Sequence, residues 1–141
     1  MSPRDTRTGL VLEQMALPAL ARGGYSYRQQ AFVGTRLGGR RHRVDILATD
    51  ANGLSYLISL KWQQGSGTAE QKVPFEVMCL MDAVQTGNGA YRSAYVVLGG
   101  EGWSLRNFYT SGELGRFLAH VGIVSVVTLE AFVAKANRGE L

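Results

Sequence analysis

Two strand-like runs stand back to back between Arg40 and Trp62, R-R-H-R-V-D-I-L-A-T and L-S-Y-L-I-S-L-K-W, with only D-A-N-G between them. No other stretch limits the fold so tightly. Runs this rich in Val, Ile and Leu, parted by a few Asp, Asn and Gly, read as strands joined by a tight turn. A third run precedes them. Tyr25 to Val33 alternates around aromatics, and Gly34 to Gly39 forms the turn that follows. Three strands with short connections imply an antiparallel meander.

Helical spacing brackets the meander. From Thr8 to Arg22, Leu12, Met15, Ala16, Ala19 and Leu20 recur every three to four residues, and Gly23-Gly24 is the stop. Pro18 predicts a kink or a late start, and Glu13 rides on this helix. After the meander comes a Gly/Ser loop, Gln63 to Thr68, then Val73, Val77, Leu80, Met81 and Val84 at helical spacing. T-A-E-Q reads as a capping box that starts this helix at Thr68 and pairs it with Gln71. Pro74 at the first helical position is the alternative start. Tyr91 to Leu98 is a strand, Glu113 to His120 a helix and Gly122 to Val127 a short strand. Thr128 caps a last helix through Lys135. The order α-β-β-β-α-β-α-β-α predicts an α/β domain with a central mixed β-sheet flanked by helices. With no repeat or linker, residues 1–141 are expected to form one domain.

Charge is unevenly placed. The net charge is +4, yet residues 1–64 hold nine Lys/Arg against four Asp/Glu, and residues 65–141 hold six against seven. Twelve of the fifteen basic residues are Arg, whose planar fork suits phosphate. The basic half, with Arg36, Arg40, Arg41 and Arg43 beside the hairpin, reads as a surface for a polyanion; a solvated basic face is the plainer reading. A single cysteine, Cys79, excludes an internal disulfide and fits a cytoplasmic setting. No apolar run reaches the ~18 residues of a membrane span, and M-S-P-R-D-T-R lacks a signal-peptide core. Two His and one Cys give no zinc spacing. Gly99-Gly100-Glu101-Gly102 lacks the residues of a phosphate loop, and no G-x-S-x-G elbow is present.

The chemistry lies on the strand pair. Strand alternation puts Leu57, Ser59, Lys61 and Gln63 on one face and Tyr56, Ile58, Leu60 and Trp62 on the other. Arg43, Asp45 and Leu47 share a face of the preceding strand, so Asp45 is expected near Ser59 and Lys61. A salt bridge accounts for an Asp–Lys pair by itself. Three features favour chemistry: Lys61 sits between Leu60 and Trp62, Ser59 and Gln63 add polar groups on its face, and the arginines adjoin Asp45. Cutting a phosphodiester requires a cation to neutralise the phosphate and an amine to orient the water, which this set begins to supply.

At these residues the sequence resembles the PD-(D/E)xK nuclease superfamily. V-D-I-L at Val44–Leu47 corresponds to its Asp strand and S-L-K at Ser59–Lys61 to its (D/E)-x-K strand. Small size, Glu13 on a first helix and the early meander are most similar to archaeal-type Holliday junction resolvases. The resemblance implies a restriction-endonuclease-like nuclease core and Mg²⁺, with Mn²⁺ able to substitute. It implies Asp45 as principal ligand with the Leu60 carbonyl, Lys61 as water-positioning residue assisted by Ser59 and Gln63, and Glu13 reaching the metal from the first helix. Its implied partners are DNA, four-way junctions first, and a second copy in a two-fold dimer, inside the cell or inside a host for a viral chain. A restriction-like or repair nuclease on linear duplex, or an inactive DNA-binding module, is the alternative. Val44 stands where the motif has Pro, and Ser59 where it has its second acid. Relatives with Ser or Thr there bring a Glu from the following helix. Helical periodicity from Thr68 turns Glu70 toward the sheet, whereas the spacing of those relatives favours Glu76; Glu76 is preferred.

The remaining polar and aromatic residues have simpler readings. His42 is either a phosphate contact or an exposed bystander. His120 is a capping or surface residue, and Trp62 and Trp103 are core residues rather than base-stacking platforms.

Overall fold

The structure is a computed structural model. It describes residues 6–65 and 67–141, with the side chains of residues 6–8, 12 and 13 outside the description. The N-terminal helical segment runs as α1 (Thr6–Val11), a π-turn (Leu12–Ala16) and α2 (Leu17–Arg22). Pro18 lies in the first turn of α2. It has no N–H to give to the turn before it, and that turn widens. Met15, expected on the buried face, is exposed.

The meander follows as β1 (Ser26–Thr35), β2 (Arg41–Thr49) and β3 (Ser55–Trp62), all antiparallel. Then come α3 (Ala69–Thr86), β4 (Ser93–Gly99), α4 (Arg106–Thr110), β5 (Val124–Thr128) and α5 (Leu129–Asn137). The strands lie in the order β1-β2-β3-β4-β5, with β4 parallel to both β3 and β5. The sheet is therefore mixed, as expected. β3 is central and covered on both faces, which is why its sequence is a nearly continuous apolar run.

Two cores result. On one face Leu20, Ile46, Ile58 and Phe132 pack under α2 and α5. On the other, Val44, Leu57, Val77, Leu80 and Val96 pack under α3. No helix among the described residues is long and apolar enough to cross a membrane.

One helix differs from the sequence reading, and one open choice of boundary is resolved. The expected helix Glu113–His120 is a 3₁₀ turn, Glu113–Arg116, and a second such turn spans Val121–Ile123. Gly112 (φ 82°) and His120 (φ 60°) take left-handed conformations that a continuous helix does not admit. The helix in this region, α4, lies earlier. The start of α3 is the Thr68 one: the helix begins at Ala69 and carries Pro74 inside it. A proline at 74 leaves the Glu70 carbonyl without its helical partner. The Tyr109 hydroxyl donates to that carbonyl at 2.6 Å, so the interruption is satisfied from α4. Thr68 makes no side-chain cap; Gln71 N–H reaches only its backbone oxygen. The cap at the end of the chain is as expected, with Thr128 Oγ1 accepting from Ala131 N–H.

Candidate active site where β2 and β3 part

The β2–β3 ladder runs from Thr49–Ser55 to Ile46–Ile58 and stops there. Beyond it, Leu60 N–H donates to Asp45 Oδ2 at 2.7 Å, a carboxylate taking the acceptor role. Leu60, expected to lend its carbonyl, thus meets Asp45 through its amide. Face alternation also breaks here. Val44 and Leu47 both belong to the α3-side core, while Ile46 and Ala48 belong to the other. The expectation that Arg43, Asp45 and Leu47 share one face is corrected accordingly: the strand is not regular at Asp45. The matching irregularity on β1 is Gln30. It lies between the pairs Gln29–Ile46 and Ala31–Val44 and has a φ of 52°, rare for a residue with a Cβ. Its side chain stands near enough to Asp45 to favour the ionised carboxylate.

On the α3 side, β3 keeps its alternation, and Ser59 and Lys61 both face Glu76. Ser59 Oγ donates to Glu76 Oε1 at 2.7 Å, and Lys61 Nζ lies 3.9 Å from Oε2. His42 also faces α3, its Nε2 3.8 Å from Oε1. Glu76 is buried. Burial works against its ionisation, but His42, the Lys61 charge and the Ser59 hydroxyl outweigh it and hold its pKa down to about 2. Burial raises the Asp45 carboxyl above its ordinary range, and the Glu76 charge adds to this. The Leu60 amide, Lys61 and Gln30 work the other way. Asp45, Glu76 and Lys61 thus act on one another electrostatically, two carboxylates against one ammonium.

The other expected site residues divide. Gln63 lies past the end of β3 and uses both ends of its amide elsewhere. Nε2 donates to the Gly102 carbonyl at 2.6 Å, and Oε1 accepts from Glu70 N–H at 3.3 Å. The two loops press together so closely that a Cβ at Gly100 would strike the Gln63 carbonyl. Glu70 is likewise engaged elsewhere. It accepts from the Ser104 amide, from Ser104 Oγ at 2.8 Å and from Leu105 N–H at 3.2 Å. Burial opposes its ionisation, but the Ser104 hydroxyl and these amides hold its carboxyl below the ordinary range. Glu70 and Gln63 brace the loop before α4. The side chain of Glu13 lies outside the described residues.

The arginines split between the two faces of the sheet. Arg41 and Arg43 alternate with His42 and Val44 and so point away from α3, with the Arg41 guanidinium 3.7 Å over the exposed Phe32 ring. Arg36 closes the β1–β2 turn and lies 5.8 Å over Phe75 on α3. Arg40 is exposed. Trp103 is a core residue, its indole N–H bonded to the Gly99 carbonyl at 2.7 Å, and Trp62 packs against the α2–α5 core.

Two residues were missed. His42 is buried, neither a phosphate contact nor a bystander. The R-H-R-V alternation carried the signal: His42 shares the parity of the apolar Val44. Gln30 left no such signal, because residue type does not announce a left-handed backbone angle beside Asp45.

The donor set suits a hard divalent cation. Mg²⁺ is commonly held by one or two carboxylates, completed by water and substrate phosphate. Asp45 and Glu76 supply that number. Among the described residues no group of three or more His, Cys, Asp or Glu is placed to hold a metal.

A family model described as a PD-(D/E)XK nuclease superfamily domain matches residues 4–140. No curated protein matches the chain. Among solved structures, a protein of unknown function is 13% identical with a TM-score of 0.50, over 80% of this chain and 54% of that one. A repair endonuclease from Pyrococcus abyssi is 14% identical over 91% and 46%, with a TM-score of 0.44. The small subunit of the heterodimeric restriction endonuclease R.BspD6I is 18% identical over 85% and 64%, with a TM-score of 0.41. The chain therefore spans between 46% and 64% of the length of these structures. At such identities the first likeness is one of fold alone.

Proposed function

The chain belongs to the PD-(D/E)XK nuclease superfamily, its mixed sheet between helices being that superfamily's restriction-endonuclease-like core, and from this premise we propose that it is a divalent-metal-dependent, structure-selective DNA endonuclease. Four-way junctions are its first expected substrate, and a two-fold homodimer its working form, since paired nicks need two sites. One observation carries the reading. Ser59, which stands in place of the motif's second acid, donates to Glu76 Oε1 at 2.7 Å, so a carboxylate from α3 fills the place the strand leaves vacant.

Asp45 and Glu76 would hold the cation, with Glu76 ionised at neutral pH because its pKa lies near 2. When bound, Mg²⁺ supplies a Lewis acid for the scissile phosphate and lowers the pKa of water there. The chain's own groups do the rest. Lys61 Nζ, partly exposed and 3.9 Å from Glu76, orients the attacking water and stabilises charge as it develops. The Ser59 hydroxyl fixes the Glu76 carboxylate; a hydrogen bond to a charged group is worth about 1.5–3 kcal/mol. The Leu60 amide holds Asp45. The hairpin arginines grip backbone phosphates, which position DNA without reading its sequence.

The test is cleavage of a four-way junction and of a matched duplex, with and without Mg²⁺ or Mn²⁺. Paired junction nicks that need the metal support the proposal. Duplex cutting alone makes the protein a restriction-like or repair nuclease. Binding without products makes it an inactive module. Asp45→Asn should slow cleavage more than about a hundredfold, beyond what an outer-shell change costs, with DNA binding kept. Undiminished nicking by that variant removes Asp45 from the mechanism.

A further inference from the structure

His42 is 2% exposed, and neither ring nitrogen has a hydrogen-bond partner. Two of the three unpartnered buried side-chain polar atoms among the described residues belong to this one ring. Such groups are costly, since each has given up water for nothing. Its neighbour on the same side of β2, Val44, is fully buried, so an apolar residue at 42 would fit the packing without that cost. The ring points instead at the carboxylate beside it, with Nε2 3.8 Å from Glu76 Oε1, about 1 Å beyond a hydrogen bond. Ser59 holds the same oxygen at 2.7 Å, and Lys61 faces the other at 3.9 Å.

We propose that His42 is a positioning residue for Glu76: its Nε2–H is the third fixed point, after Ser59 and Lys61, that sets the carboxylate toward the divalent cation. Closing the gap of about 1 Å needs only a shift of the His42 ring toward Glu76 Oε1. The inference rests on the reading of Glu76 as a metal ligand. It adds that the ligand's orientation is set from β2 as well as from β3.

The test uses Mn²⁺ binding to the full chain without DNA, followed by electron paramagnetic resonance, with melting temperature measured on the same samples. His42→Leu should weaken Mn²⁺ binding about tenfold, the usual scale for outer-shell partners. Its melting temperature, which gains from the loss of two orphaned polar atoms and loses a group that offsets the burial of Glu76, shows whether the variant is folded. His42→Gln, whose amide N–H reaches the place of Nε2, should bind Mn²⁺ as the parent does. His42→Asn, which mimics only Nδ1, should not, and this contrast stands even if the leucine variant does not fold. Parent-like Mn²⁺ binding by His42→Asn, or by a folded His42→Leu, overturns the proposal. Failure of the metal reading looks different: a parent protein that takes up no Mn²⁺, or binding unchanged by Asp45→Asn and Glu76→Gln, overturns that reading and this inference with it.

Discussion

Gln30 holds a left-handed backbone angle, φ 52°, in the middle of β1, between the residues that pair with Ile46 and Val44, and favours the charge of Asp45. For a residue with a Cβ such a conformation costs roughly 1–2 kcal/mol. Glycine would relieve it but adds about 0.4–1 kcal/mol of unfolded-state entropy. Gln30→Gly is therefore expected to be more stable by about 0.5 kcal/mol and yet to cut about tenfold more slowly, as loss of an outer-shell partner does. Urea unfolding and single-turnover cleavage check both halves; a variant that is faster and more stable contradicts the assignment. A second residue-scale effect lies at the β2–β3 turn. Asp50 accepts from the Asn52 and Leu54 amides and from the Tyr56 hydroxyl, all within 3.0 Å. Burial first, then the Asp50 hydrogen bond and charge, push the Tyr56 phenol from 10.0 up to about 12. A raised pKa means the fold favours the neutral phenol. That stabilisation is complete below pH 10 and is lost as pH rises toward about 12. Denaturation measured across this range should show the decline, and Tyr56→Phe should make it shallower. The D-A-N-G motif announced this turn; the tyrosine's part in it depends on which strand position faces the aspartate.

The elements show where local pattern stops sufficing. β2 and β3 were legible because alternation and turn residues agreed, and the pairing of Ile46 with Ile58 follows from that turn. The start of α3 was not legible. Thr68 offered one start and Pro74 another, and what decides is a hydroxyl 39 residues downstream of Glu70. Tyr109 satisfies the carbonyl that Pro74 orphans, which lets the helix run from Ala69 and carry Glu76 over Ser59. Tyr109→Phe should lower stability by about 1–3 kcal/mol, the cost of a buried unpaired carbonyl. In a Pro74→Ala background the carbonyl regains its helical donor, so the same change should cost much less. A double-mutant cycle by chemical denaturation measures the difference; strictly additive effects would remove Tyr109 from this role. The choice between Glu70 and Glu76 has the same origin. Helical phase alone pointed Glu70 at the sheet, but Ser104 and Leu105 arrive from beyond β4 and engage it.

At the scale of the whole molecule, the meander, the parallel return through β4 and β5, and two helical layers bring one carboxylate, one lysine and a glutamate to the edge where β2 and β3 part. The basic half of the chain flanks that edge, but its arginines divide between the two faces, Arg41 and Arg43 on one and Arg36 over α3 on the other. If both faces meet phosphates, the logarithm of DNA affinity should fall with the logarithm of salt by about 0.9 for each contact. Replacing Arg41 and Arg43 together by Ala should lower that slope by nearly two contacts, read by fluorescence anisotropy at several salt concentrations. An unchanged slope would place the DNA elsewhere. The sequence by itself determined the strand pair and the mixed α/β class, because periodicity and turn residues are local and these features are built from neighbours in the chain. Only the tertiary structure decided that Glu76 and not Glu70 meets Ser59, that His42 is buried against it, and that Gln30 takes a left-handed angle beside Asp45. Those choices depend on which groups distant in the chain compete for the same carboxylate oxygens and carbonyls, and no local pattern records that competition.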